Sequence, residues 1–210
     1  MITFRQFLSE QEMMSVAVLI KKNCAEFLHE THGTGFLYRG VRFMKFVEPY
    51  SAYDAEGNEM EYIIKNVRQD RRPLDTGAER HALIDDWFQK KFGFKARSEA
   101  VFAFGEKALR SDLAFYGRPC IIFPIGPIKY AWSPIVEDMY GSMNIYSKDS
   151  DTTTRVHSDN SAVIKWLEES NYKDSGLSDA VMKDHEVMIK CSSYYAFPIE
   201  YKEQLQRALA

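Results

Sequence analysis

Several features that would assign this chain to a well-marked class are missing. Only three of its 210 residues are cysteines, and Cys24, Cys120 and Cys191 lie far apart. Their number and spacing predict neither a disulfide framework nor a zinc site, and we interpret all three as buried or inert thiols. No glycine-rich phosphate loop of the G-x-G-x-x-G or Walker type is present, which argues against a Rossmann dehydrogenase or a nucleoside triphosphatase.

Long apolar runs and an excess of positive charge are also absent. The longest apolar stretches, such as SVAVLI and CIIFPIG, are much shorter than a transmembrane helix, so we expect a soluble protein with no membrane partner. A net charge of -3 and a sequence pI near 6.0 indicate no general attraction to nucleic acid. With 45% hydrophobic residues, the chain suits one compact domain.

The N-terminal residues allow two interpretations. Phe4 and Phe7 have the spacing of an ordinary amphipathic helix. The start MITFRQFLSE also resembles the capsid-targeting leaders of internal head proteins in large contractile-tailed bacteriophages, where the prohead protease cuts after a Leu/Ile-x-Glu triplet, here residues 8–10. That resemblance implies a cleavable leader at 1–10 before a single domain at 11–210, and a place in the virion interior or the host cytoplasm.

The stretch FLYRGVRF, residues 36–43, alternates in the way typical of a strand. Within it Arg39 shares a face with apolar neighbours and therefore needs an anion. One possibility is an ion pair with a carboxylate at the edge of the core. The other is a phosphate clamp, because a guanidinium presents a fixed fork of donors to phosphate oxygens.

A basic loop and a helix follow. Arg68, Arg71 and Arg72 occur close to Asp70 and Asp75, and the simplest interpretation is a salt-linked loop, with a second anion contact as the alternative. The next stretch predicts a helix that runs to about residue 91, with glycine after it. Its expected buried stripe consists of Leu83, Ile84, Trp87 and Phe88.

The middle of the chain has the pattern strand, helix, strand. AVFAF and CIIFPIG are typical of buried strands, the second bent or placed near an edge by Pro124, and EKALRSDLAFYG between them predicts a brief helix. Ser98 precedes the first strand and Tyr116 ends the helix, so both are candidates for one edge of a cleft. Ser98 also suits ordinary turn or cap chemistry.

The stretch DHEVMIKCSSYYAF, residues 184–197, places three titratable residues before an alternating run that predicts a strand. Glu186 is either a solvated carboxylate at the start of that strand or a group facing a cleft. Asp184 shares its face, whereas His185 points to the other face and suits a structural role.

Three features resemble the Arg-Ser-Glu class of mono-ADP-ribosyltransferases over residues 36–197. They are Tyr-Arg-Gly in an early strand, a serine ahead of a mid-chain strand, and Glu-Val-Met-Ile followed by Tyr-Tyr in a late strand. The middle motif of that family is usually Ser-Thr-Ser, where this chain has Arg-Ser-Glu at 97–99. Arginine-modifying members carry Glu/Gln-x-Glu, and here Asp184 holds the first of those positions.

The resemblance implies an α+β domain in which two short, mostly antiparallel sheets grip NAD, with helices outside. It implies that Arg39 holds the phosphates of NAD, with Gly40 and Tyr116 beside the same substrate, and that Ser98 braces the site. Glu186 would be the catalytic carboxylate that stabilises positive charge as the nicotinamide bond breaks. No metal is part of this expectation.

The implied activity is that of a glycosyltransferase in host takeover, which moves ADP-ribose from NAD to a host protein. Two alternatives stay open. The acceptor is a nucleic acid guided by basic residues, or the chain is a non-catalytic internal virion protein on the same fold. The basic residues concerned are Arg68, Arg71, Arg72, Lys90, Lys91, Lys95 and Arg97.

Overall fold

The computed structural model describes residues 10–42, 52–53, 59–60, 62–72, 77–107, 113–114, 116–139, 141–142 and 160–210. All but the last residue of the expected leader, and half of the brief helix expected over 106–117, lie outside these ranges.

Helices and strands alternate irregularly along the described chain. The helices are α1 (Glu10–Asn23), α2 (Ala25–Thr31), α3 (Ala78–Phe92), α4 (Ala96–Glu99), α5 (Asn160–Glu169), α6 (Leu177–Val181) and α7 (Lys202–Leu209), with a 3-10 turn at Ile199–Tyr201. The strands are β1 (Leu37–Val41), β2 (Ala52–Tyr53), β3 (Glu59–Met60), β4 (Ile63–Asn66), β5 (Val101–Phe104), β6 (Arg118–Ile125), β7 (Lys129–Trp132), β8 (Glu186–Lys190) and β9 (Ser193–Pro198).

Seven strands form one open sheet in the order β4-β9-β6-β1-β5-β8-β7, and β2 and β3 form a separate two-stranded ladder. Every described strand pair is antiparallel. The expected α+β class is confirmed. We expected two short sheets around a cleft, whereas seven of the described strands pair into a single sheet.

Strand β6 lies inside the sheet, between β9 and β1, although it contains Pro124. The pairing of β1 with β6 extends only as far as Ile122. Pro124 therefore lies where β6 has β9 as its neighbour on one side and no partner from β1 on the other. That is locally the position of an edge strand, the place where a residue without an N–H is tolerated.

The apolar residues of the described chain form two clusters. In the first, helices α1, α2, α6 and α7 pack against β1, β6 and β9, and Phe123 lies edge-on to Phe197 with ring centroids 5.8 Å apart. In the second, α3 and α5 pack against β7 and β8. Burial of each such ring contributes about 1.5–3 kcal/mol, so these clusters fix how the helices sit on the sheet.

Helix α3 forms where the sequence predicts it, although Leu83, which we expected in its buried stripe, is only half-buried. Ile84, Trp87 and Phe88 recur at helical spacing and are buried in the second cluster. The helix ends at Gly93, whose φ of 74° lies in the left-handed region that glycine adopts readily.

All three cysteines are free and buried. Burial raises the pKa of the thiols of Cys24, Cys120 and Cys191 to about 12 in each case. The thiols are therefore protonated and weakly nucleophilic near neutral pH, and the interpretation of these residues as buried, inert thiols is confirmed.

Gly40 lies where another part of the chain passes close over β1. A Cβ atom at this position would lie 2.3 Å from the Leu113 carbonyl oxygen and 2.7 Å from the Cβ of Tyr116. Both distances are too short for non-bonded atoms, so the close approach requires glycine.

We expect Gly40→Ala to lower the free energy of unfolding by about 1–3 kcal/mol, because the methyl group meets backbone that cannot move independently. Urea denaturation measures this. Gly77→Ser is the matched control: Gly77 is the N-cap of α3 with no atom within 4 Å of an added Cβ, and serine suits that position. Equal stability of both variants would contradict the close approach.

Candidate functional site

The main sheet is nearly divided in the middle. Strands β1 and β5 share a single register pair, Tyr38 with Phe104, whereas β1 pairs with β6 along its whole length. The sheet thus consists of a four-stranded half, β4-β9-β6-β1, and a three-stranded half, β5-β8-β7. Glu186 pairs with Phe104 on the other side, and Arg39 directly follows Tyr38. The sequence-predicted Arg39 and Glu186 therefore both lie at this division.

Arg39 connects the two halves through its side chain. Its Nη1 donates a hydrogen bond to the carbonyl oxygen of Phe102 in β5, and its guanidinium donates to the hydroxyl of Tyr194 in β9. Burial raises the pKa of Tyr194, and the charge of Arg39 opposes that rise. A half-buried guanidinium thus spans the point at which the backbone ladder stops.

Glu186 is buried, with 8% of its surface exposed, so the interpretation as a solvated carboxylate is wrong. Strand alternation places it on the same face as Met188, which packs in the second cluster. Its backbone N–H donates to the Glu137 carbonyl oxygen at 2.7 Å, and the Met139 N–H approaches Oε2 at 3.4 Å.

The carboxyl group of Glu186 titrates far from its ordinary range. Burial, reinforced by the nearby charge of Asp138, raises its pKa to about 7. The positive charges of Arg97 and Arg39 and the Met139 N–H act in the opposite direction. Glu186 is therefore close to half-ionised at neutral pH, which is the range in which a carboxyl group can change charge during a reaction.

Two further arginines lie beside the division, around the ring of Phe102. The guanidinium carbon of Arg71 is 4.8 Å from the ring centroid and that of Arg97 is 5.3 Å away, both within cation–π range. Burial, together with the charges of Arg39, Arg97 and Arg68, lowers the pKa of Arg71 to about 10. The charges of three other arginines therefore act on Arg71, and two of them, Arg97 and Arg39, also act on Glu186.

Ser98 lies on the one-turn helix α4, and the described partners of its hydroxyl are on α3. Its hydroxyl donates a short hydrogen bond to Asp85 Oδ2 and lies 3.0 Å from His81 Nε2. Asp85 is almost fully buried, and its Oδ1 accepts from the backbone N–H groups of Arg97 at 2.7 Å and Ser98 at 3.3 Å. The Asp85 carboxylate thus fixes the segment that carries Arg97.

This serine, histidine and aspartate do not form a catalytic triad. In a triad the imidazole takes the serine proton, whereas here the hydroxyl of Ser98 donates directly to Asp85. Burial lowers the pKa of His81 in spite of the opposing charge of Asp85, so the ring is neutral near pH 7. Since the serine hydrogen goes to Asp85, Nε2 of His81 is the donor to Ser98.

Gly40, the residue after Arg39 in β1, lies close to Tyr116. Tyr116 is 64% exposed, and its Cβ is one of the atoms that a side chain at position 40 would meet. The charge of Arg39 thus acts on Glu186 at the division of the sheet, and Asp85 holds the segment that contains Ser98 and Arg97.

Sequence reasoning missed several residues of this site. His81 and Asp85 are four residues apart and lie on the buried face of α3 between the apolar positions, and polar residues in an apolar stripe are a detectable signal. Tyr172 is buried, and burial together with the charges of Glu186 and Asp138 raises its pKa. Nothing in the local sequence indicates that Asp138 and Tyr172 approach a carboxylate at position 186.

Among the described residues, no helix is long and apolar enough to cross a membrane. Within the same ranges, no group of three or more His, Cys, Asp or Glu side chains is arranged to hold a metal ion. Comparison of the chain with models of protein families, with curated proteins and with solved structures gives no match. The site is therefore interpreted from its own geometry.

The raised pKa of Glu186 predicts how stability depends on pH. The unfolded chain ionises this group near 4.5 and the folded chain near 7. Between these two pH values the folded state therefore binds one proton more than the unfolded state. The stability that protonated Glu186 contributes, about 3 kcal/mol, is present below pH 4.5 and is lost by about pH 7.

We expect Glu186→Gln to flatten the fall in unfolding free energy between pH 4.5 and 7, because the amide cannot ionise. Urea titrations at half-unit pH intervals measure this. The exposed Glu203, changed to Gln, is the control and should retain the wild-type slope. An unchanged slope in Glu186→Gln would show that Glu186 titrates normally.

Proposed function

We propose that this protein transfers ADP-ribose from NAD to a host macromolecule, with release of nicotinamide. The observation that carries the proposal is the meeting of Arg39 with the buried Glu186 where the sheet divides. A phosphate-binding cation on β1 and a carboxylate with a tuned pKa on β8, with β5 between them, are what cleavage of the N-glycosidic bond of a dinucleotide requires.

The main requirement of this reaction is stabilisation of the positive charge that develops on the ribose. As the bond between the ribose carbon C1′ and the nicotinamide nitrogen breaks, its electron pair stays with nicotinamide, which leaves as a neutral molecule. The ribose passes through an oxocarbenium-like state, which the ionised Glu186 stabilises. An acceptor atom then forms the new bond to C1′ and releases a proton to water, so no general acid is needed.

The other predicted residues support this pair in different ways. Arg39 binds the phosphates of NAD in the proposal and also holds the two halves of the sheet together. Ser98, with Asp85, acts as a positioning residue, because the two fix the segment that places Arg97 near Glu186. Gly40 and Tyr116 lie on the flank of β1, and we assign them to the outer wall of the NAD site.

We infer an ADP-ribosyltransferase-like fold in which the four-stranded and three-stranded halves form the two sheets and the gap between β1 and β5 forms the NAD cleft. The single register pair between these strands supports that inference. The phage origin, the cleavable leader at 1–10 and the virion or host-cytoplasm location remain predictions from the N-terminal sequence.

A protein is the favoured acceptor, and a nucleic acid is the second candidate. The observation that favours the second is the exposure of Arg68 and Arg72 on the segment that carries Arg71. A polyanion bound there would lie next to the site, and its binding would weaken steeply with salt.

We expect Glu186→Gln to lower nicotinamide release from labelled NAD by about 100- to 1000-fold, because the neutral amide does not stabilise the oxocarbenium charge. Purified protein is assayed alone and with host lysate, and label transfer is read on protein and nucleic acid fractions separately. Glu203→Gln is the control and should match wild type. Equal turnover by wild type and Glu186→Gln would remove Glu186 from the reaction, and no turnover by wild type, together with no NAD binding, would favour a non-catalytic virion protein.

The rate should also rise with pH. Because the reaction needs ionised Glu186, we expect kcat/KM for NAD to increase up to about pH 7 and then level off. A profile that is flat from pH 5 to pH 8 would contradict the role of this carboxylate.

A further inference from the structure

Arg71 is held in one place by contacts that leave most of its donors unused. Its Nη1 donates to the carbonyl oxygen of Ala100 at 2.9 Å, and its backbone N–H donates to the Ser98 carbonyl oxygen at 3.3 Å. The guanidinium lies over the ring of Phe102. A guanidinium has five N–H donors, so a half-buried and positioned group here keeps several of them for another partner.

The surroundings of Arg71 are positive. Arg39, Arg97 and Arg68 all act on it as like charges. No carboxylate within the described ranges forms an ion pair with Arg71 or Arg39. Like charges held together in a half-buried place are unfavourable unless an anion joins them.

Phe102 links Arg71 to Arg39. Its carbonyl oxygen accepts from Arg39 and its ring lies under Arg71, so both guanidinium groups contact a single residue. Tyr194 accepts a hydrogen bond from Arg39, and its charge acts on Arg71. Two separate forks of donors at one place match two linked phosphates, each of which accepts a bidentate pair of hydrogen bonds.

We propose that Arg71 and Arg39 together form a binding site for a diphosphate group, with one guanidinium on each phosphate and Phe102 holding both. The ligand class is any molecule with two directly linked phosphates, such as inorganic pyrophosphate, a nucleoside diphosphate or a dinucleotide. Assigning the diphosphate to NAD rests on the proposed function, whereas diphosphate binding itself does not.

The test uses inorganic pyrophosphate and inorganic phosphate as probes, with affinity measured by isothermal titration calorimetry at low salt. Wild type should bind pyrophosphate about 10- to 100-fold more tightly than phosphate, because the second phosphate gains its own charge-assisted hydrogen bonds. In Arg71→Gln this preference should disappear, so that the two probes bind about equally. The glutamine amide retains a donor for the Ala100 carbonyl.

Three variants serve as comparisons. Arg39→Gln should lose the pyrophosphate preference in the same way, because it removes the other half of the site. Arg71→Lys keeps the charge but lacks the fork, so its preference should be intermediate. Arg207→Gln, on the exposed face of α7, should bind both probes as wild type does. Circular dichroism and the melting temperature verify that each variant is folded.

The outcomes separate this inference from the proposed function. Loss of the pyrophosphate preference in folded Arg71→Gln supports the diphosphate site even if the protein never consumes NAD. Retention of the wild-type preference in Arg71→Gln, or no pyrophosphate binding by wild type, overturns the site even if NAD is consumed. Competition by ADP but not by AMP in the same assay would support a nucleotide diphosphate as the ligand.

Discussion

The hydrogen bonds of the Arg39 side chain join two halves of a sheet whose backbone pairing is almost interrupted. Beyond the pair Tyr38 and Phe104, β1 and β5 are linked through the bond from Arg39 to the Phe102 carbonyl oxygen. The hydroxyl of Tyr194 receives another bond from the same guanidinium. The relative placement of Glu186, in one half, and of β1, in the other, therefore depends in part on an arginine that also belongs to the candidate site, together with the hydrogen bonds of Glu106 to Phe36 and Tyr38.

The charges of the site balance one another only in part. Glu186 is buried beside Asp138, and Arg97 and Arg39 offset this repulsion without cancelling it, which is why the pKa of the carboxyl group rises to about 7. On the arginine side, like charges oppose one another at Arg71. A bound dinucleotide would reduce both repulsions, because its negative phosphates would offset the arginines and its positive nicotinamide ring would offset the carboxylates.

Local patterns were enough to find the elements of the site but not their relationships. Alternation predicted the strands that carry Arg39 and Glu186, and the stripe of Ile84, Trp87 and Phe88 with the following glycine predicted α3. The role of Ser98 was not predictable, because it depends on α3 bringing Asp85 against α4. Strand order and register are set by contacts between distant segments, so the near-division between β1 and β5 carried no local signal.

The strand order also sets when the sheet can form during synthesis. Within each half, a strand from residues 186–198 lies between two strands made much earlier: β9 between β4 and β6, and β8 between β5 and β7. Neither half can close until these late segments have left the ribosome. The earlier strands then expose unpaired edges to chaperones and to neighbouring nascent chains, and the many pairings between distant segments place this domain among slowly folding topologies.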